Sequence, residues 1–245
     1  MEWTDRAIIL ATRKHAETSA LLSVLTREQG RHAGLVHGGA SRRAQAVLQP
    51  GNRVAARWRA RIEDQLGALD CELEKAVAPT VLADRLRLAG VAAACAVVDS
   101  ALAEREPVPR LFEAMTALLD AIEADPEWPQ RYVRWEVELL AELGYGLDLG
   151  CCAVSGATSG LAYVSPRTGR AVSQAAGAAW KDRLLALPAF LLDAATPAAP
   201  GAVAAGLTLT GYFLRRHVYA DRGHELPAAR VRLAAEMARV DPPPA

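Results

Sequence analysis

The chain runs to 245 residues, 51% of them apolar, and its 28 Lys and Arg balance its 28 Asp and Glu. A chain of that length buries a full core without disulfide or metal staples and has room for two domains, while its mixed composition excludes the disordered and fibrous classes. The zero net charge hides a polarity: residues 1–62 carry eleven basic against four acidic side chains, and the remainder carries the opposite excess. A basic front of this kind faces an anion, and nucleic acid is the commonest large one. With 25 Arg and only 3 Lys in the chain, it is the placement of arginine that informs, not its preference over lysine.

In chain order, Glu2, Asp5 and Arg6 break any apolar leader at once, which argues against secretion. RAIILATR (6–13), TSALLSVLT (18–26) and RHAGLVHG (31–38) read as short strands separated by the polar KHAE and REQG turns, with Gly30 closing the second into the third. A Ser-Arg-Arg loop follows, then a short helical AQAVLQ piece stopped by Pro50-Gly51. RVAARWRARI (53–62) and LGALDCELE (66–74) complete about five strands in 75 residues, the pattern of a small closed barrel of the oligonucleotide-binding (OB) type.

Read as a strand, RVAARWRARI puts Arg53, Arg57, Arg59 and Arg61 on one face and Val54, Ala56, Trp58, Ala60 and Ile62 on the other. No acid interrupts the row, so it is expected to lie along a phosphate backbone without reading bases, Trp58 going to the core. Gly34, Gly38 and Gly39 let the preceding backbone bend, and Arg42 and Arg43 project from a flexible loop beside the barrel, a common way to clamp a strand. Neither GxxxxGK[ST] nor GxGxxG occurs, which disfavours a nucleotide-phosphate loop.

Beyond Pro79 the apolar spacing becomes helical. Leu111, Phe112, Met115, Leu118, Leu119 and Ile122 form one face, and a further helix is expected from about Gln130 to Leu143, stopped by Gly144. Residues 147–173 are rich in Gly, Ser, Thr and Pro and are expected to be an irregular excursion. Helices then resume from about Ala176, and the closing DPPPA is expected to fray. The apolar windows at 88–98 and 198–214 are too short or too rich in Pro, Gly and Thr to span a bilayer. Cys71, Cys95, Cys151 and Cys152 form neither a secreted framework nor CxxC pairs, so a reducing cytoplasm and no membrane partner are expected. His217 and His224 have no ligand array around them at a recognised spacing. The expected fold class is therefore α+β, with an OB barrel at 1–78 and a mainly helical domain at 79–245 that carries the excursion.

TDRAIILATRKHAETSALLSVLTREQGRHAGLVHGGASRR followed by LQPGNRV resembles the N-terminal half of the bacterial recombination mediators of the RecO family. The features shared are the E-T-S turn, the T-R-E-x-G hairpin, the basic glycine loop and L-Q-P. ELLAELGYGLDLGCCAVSG, LAYVSPRTGRAV and YFLRRHVYADRGHELPAARVRL extend the resemblance over nearly the whole chain. It implies a non-enzymatic protein that binds single- and double-stranded DNA and anneals complementary strands. It also implies that the protein helps RecA displace single-stranded-DNA-binding protein (SSB), with RecR as partner. On matching positions it implies DNA contacts at Lys14, Arg27, Arg31, Arg42, Arg43 and the arginines of the fourth strand. Arg131 and Arg134, on an amphipathic helix, are candidates to receive the acidic C-terminal tail of SSB.

Many relatives place two cysteine pairs in the excursion as a zinc ribbon, and a structural zinc needs four ligands. Here Cys152 stands at the first ligand position, Ser155 replaces the second, and SPRTGRAVS has no cysteine, so no zinc and no other cofactor is expected. Two rival readings remain at this point. One is a nucleic-acid-processing enzyme holding a divalent metal with Glu136, Glu138 and Asp148. The other is a sequence-tolerant RNA-binding barrel.

Overall fold

The computed structural model describes residues 1–62, 65–77, 79–220 and 223–242. Five strands close a barrel: β1 (Glu2–His15), β2 (Ser19–Thr26), β3 (Arg31–Val36), β4 (Arg53–Arg59) and β5 (Gly67–Lys75), in the order β1-β2-β3-β5-β4 with β4 returning to β1. The short helix α1 (Arg42–Val47) sits before the fourth strand. This is the OB barrel expected. Alternation fills it: Ala7, Ile9, Leu22, Val24, Val54, Ala56, Trp58 and Leu69 point inward and are buried. Trp58 stacks on Trp3 at 5.9 Å, and His32 stands edge-on to both rings. Gly67 has to be glycine, because a Cβ there would overlap the Trp58 indole and the Arg59 carbonyl.

LQPGN is a lock. Gly51, at φ +89°, turns the chain where a side chain would press on Val91 and Val77. Buried Asn52 then donates to the Ala46 and Val47 carbonyls of α1 and accepts from Val77 N–H at 2.7 Å, while its carbonyl accepts from Ile9 N–H. One side chain thereby fixes α1 to the barrel wall.

Two compact units divide the chain at Asp125/Pro126. The first includes α2 (Pro79–Ala83), α3 (Arg85–Ala101) and α4 (Pro109–Ala124) along with the barrel. The change of texture at Pro79 is thus a change of secondary structure, while the division into compact units comes later. Asp84 caps α3 by accepting from Leu86 and Arg87 N–H, and α4 buries all six residues of its expected apolar face.

In the second unit, α5 (Trp128–Glu142), α7 (Ala202–Phe213) and α8 (Ala228–Val240) pack together. Glu136 of α5 accepts two N–H groups of Arg230 from α8 and the Thr210 hydroxyl from α7, all three residues being buried. The expected irregular excursion contributes β6 (Leu161–Val164) and β7 (Ala171–Ser173) to a small antiparallel sheet, β7-β6-β8, whose third strand, β8 (Leu185–Ala186), lies beyond it where helix was expected, with α6 (Gln174–Gly177) after β7. Strands of two to four residues are too short to show alternation. In the closing DPPPA, residues 243–245 lie outside the described residues, and Asp241 is tied down instead of frayed. Its carboxylate accepts from Gly201, Val203 and Ala204 N–H at the start of α7.

Candidate nucleic-acid interface

Cross-strand register decides what the fourth-strand arginines can do. Arg57 is held by Glu2 of β1, and Arg59 donates to Asp70 of β5 at 2.7 Å. Arg53 is nearly buried, its side chain 13% exposed, and is bound by Asp120 of α4, which Lys75 also contacts at 2.7 Å. Burial alone would raise the Asp120 carboxyl, but the hydrogen bonds from Arg53 and Lys75 hold it below its ordinary value. Arg61 lies past the end of β4, off the strand face to which it was assigned; it is exposed and makes no ion pair among the described residues. The acid-free row is therefore corrected: it is uninterrupted along the sequence and interleaved with carboxylates in space.

Two further expected contacts are likewise engaged. Arg27 donates to Glu113 at 2.7 Å, which raises its pKa, and meets Glu28 at 3.1 Å. Arg31, with 17% of its side chain exposed, lies between Asp99 and Glu104 and donates to the Leu102 carbonyl. Both serve the packing of the barrel with the helices of its own unit. With their charges matched, they leave little field for a polyanion.

Lys14, Arg42 and Arg43 differ. All three are exposed and none makes an ion pair among the described residues. The fold brings them to one end of the barrel. Ala40 N–H donates to the Thr18 carbonyl at 3.1 Å, pinning the basic glycine loop onto the β1–β2 turn. Gly39 permits the approach, since a Cβ there would come within 2.8 Å of the Ala20 methyl. A cavity of about 260 Å³ opens between Lys14, Ala40, Gln45 and Gln49, on the helix that begins with Arg42 and Arg43. Ser41 caps that helix by accepting from Ala44 N–H, and Thr12 Oγ1 donates to the Leu48 carbonyl at its end. His15 and His37 are exposed at the same end, where Glu17 is the one acid in segments 11–19 and 36–49. Neither histidine was assigned from the sequence, although KHAE and VHGG bracket the loop. Arg13 alternates with Lys14 and lines a different cavity, with Arg31, Asp99 and Glu104.

In the second unit Arg134 is spent on the fold. Its guanidinium donates to the Phe190 and Ala194 carbonyls at 3.0 Å and lies over the Phe190 ring, so it does not offer a free fork to an acidic tail. Arg131 is exposed on α5. The carboxylates of the rival metal site do not converge: Glu136 is buried on Arg230, and Asp148 accepts from Arg170 at 3.0 Å. The residues at the zinc-ribbon position do not fit zinc either. Cys151 and Cys152 are the two thiols there, adjacent in the chain, and the Cys152 Sγ accepts from Ser155 N–H at 3.5 Å and Ser173 N–H at 3.2 Å. Hydrogen bonding to Ser155 and then Ser173 holds the thiol down to about 6.

A closed five-stranded barrel of this topology with exposed cations at one end defines an OB-fold protein with a helical second unit. Comparison with known sequences makes the class specific. The family described as Recombination protein O N terminal matches residues 1–76, and Recombination protein O C terminal matches residues 82–225. The DNA repair protein RecO of Rhodospirillum centenum is 58% identical over 234 residues, covering 95% of this chain and 93% of the relative. Those of Rhodospirillum rubrum (52%, covering 98% and 97%) and Paracoccus denitrificans (50%, covering 97% and 96%) are similar over as much of their length. The chain belongs to the RecO family.

Proposed function

We propose that this protein is a DNA repair and recombination mediator that catalyses no covalent step. It binds single- and double-stranded DNA, anneals complementary strands and, together with RecR, assists RecA loading on SSB-coated DNA in the cytoplasm. The observation that carries the reading is the set of exposed cations Lys14, Arg42 and Arg43, without an ion pair among the described residues, at one end of an OB barrel. Guanidinium and ammonium groups there displace counterions from phosphates. They also reduce the repulsion between two polyanions that have to meet. Family membership supports the partners RecR and SSB.

The test is a salt titration on single-stranded DNA, with annealing measured in parallel. Lys14→Ala/Arg42→Ala/Arg43→Ala is expected to flatten the dependence of log K on log salt by about 2 units and to slow annealing. An unchanged slope with the fold intact removes this end of the barrel from the interface. Competition with an RNA oligonucleotide of the same sequence separates the reading from an RNA-binding barrel.

A further inference from the structure

The stretch YFLRRHVY (212–219) takes no part in the barrel site, yet it contains an irregular helical turn. α7 ends at Phe213, and Leu214–Tyr219 wind as a π-helix. Such wide turns are rare and are found disproportionately at functional sites. This one sets His217 flat between two rings, with centroids 4.9 Å from Tyr145 (planes 15° apart) and 6.1 Å from Phe213 (5°). Phe213 is buried while Tyr145 is 38% exposed, so the ladder of rings climbs from the core to solvent and Tyr145 is its outer rung.

Guanidinium groups flank the ladder. Arg216 donates to the Pro166 carbonyl and to the Tyr212 hydroxyl, holding the β6–β7 turn beside the π-helix. Arg167 on that turn and Arg170 after it are exposed, as is Arg215. Asp148 answers Arg170 at 3.0 Å, and neither Arg167 nor Arg215 makes an ion pair among the described residues. An exposed ring on a stack, with the exposed cations Arg167 and Arg215 on the turn and the π-helix that meet beside it, matches a base and its neighbouring phosphates. An acidic peptide would need an apolar hole for its side chains, and the outer ring offers a flat face.

We propose that this surface of the second unit binds single-stranded nucleic acid, a base stacking on Tyr145 while Arg167, on the turn that Arg216 holds, takes an adjacent phosphate. The inference rests on the reading that the protein binds DNA but uses none of the barrel's residues. The experiment takes the full chain and a short thymine oligonucleotide carrying 2-aminopurine, whose fluorescence reports stacking. Tyr145→Ala is expected to abolish the fluorescence change and weaken binding about tenfold, with Tyr145→Phe retaining both. Arg167→Ala is expected to flatten the salt slope by about 0.7 unit.

Unchanged signal and affinity in Tyr145→Ala, with an unaltered urea midpoint, would overturn the proposal. So would variants that keep DNA affinity and lose an acidic, Phe-terminated peptide, since the face would then be a protein-docking one. The barrel variant Lys14→Ala/Arg42→Ala/Arg43→Ala measured alongside separates the two ideas: a flattened slope there alone leaves the barrel reading standing and sinks this one, and the reverse sinks the barrel reading.

Discussion

The Arg59 guanidinium donates to the Asp70 carboxylate at 2.7 Å across the β4–β5 pair. With Arg57 on Glu2 beside it, the outer face of the fourth strand is nearly neutral. Arg57→Ala/Arg59→Ala is therefore expected to change the salt slope of DNA binding by less than about 0.5 unit, well below the effect of removing Lys14, Arg42 and Arg43. The converse variant, Glu2→Gln/Asp70→Asn, uncovers the two arginines and is expected to tighten non-specific binding at low salt. Filter binding over a salt series checks both.

Asn52 holds three backbone groups outside its own strand: the Ala46 and Val47 carbonyls and the Val77 N–H. Asn52→Ala removes these part-buried hydrogen bonds and is expected to cost about 1–3 kcal/mol in urea unfolding. Because α1 carries Arg42 and Arg43, hydrogen exchange in residues 42–48 is expected to rise with it.

Arg230→Met strands the Glu136 carboxylate in the interior of the second unit, a loss expected at about 3–5 kcal/mol. Burial would lower the Arg230 pKa, and the Glu136 partner more than offsets this, so the guanidinium is held charged. Glu136→Leu/Arg230→Met removes both charges and is expected to recover most of the loss, because Thr210 also donates to the Gly206 carbonyl and keeps a partner. Equilibrium unfolding of the two variants gives the comparison.

His32 is buried between Trp3 and Trp58, and burial, followed by the Arg105 charge, lowers its pKa. The unfolded chain, with a histidine near about 6.5, takes up the proton first. Stability is then fully present above that value and falls as the pH drops toward the folded pKa. Urea midpoints at neutral and mildly acid pH are expected to show this decline, and His32→Phe to lessen it.

Local periodicity made the barrel and the α4 face legible. Val54, Ala56 and Trp58 alternate inward as read, and Leu111 to Ile122 repeat at helical spacing. Charge pairing was not legible, because it is made across elements: Arg59 and Asp70 are 11 residues apart, Arg57 and Glu2 55, and Arg53 and Asp120 67. An arginine row on one strand looks the same in a sequence whether or not the strands beside it carry acids at matching register. Glu136 and Arg230, 94 residues apart, were hidden for the same reason. Lys14, Arg42 and Arg43 stand out because the segments around them lack acids, a property that is visible along the chain.

Asp241 closes the first turn of α7 from the far end of the second unit, accepting three of its free N–H groups. For anyone trimming this protein the asymmetry matters: a truncation before residue 241 strips the carboxylate from a helix whose N-cap, Gly201, stands forty residues upstream.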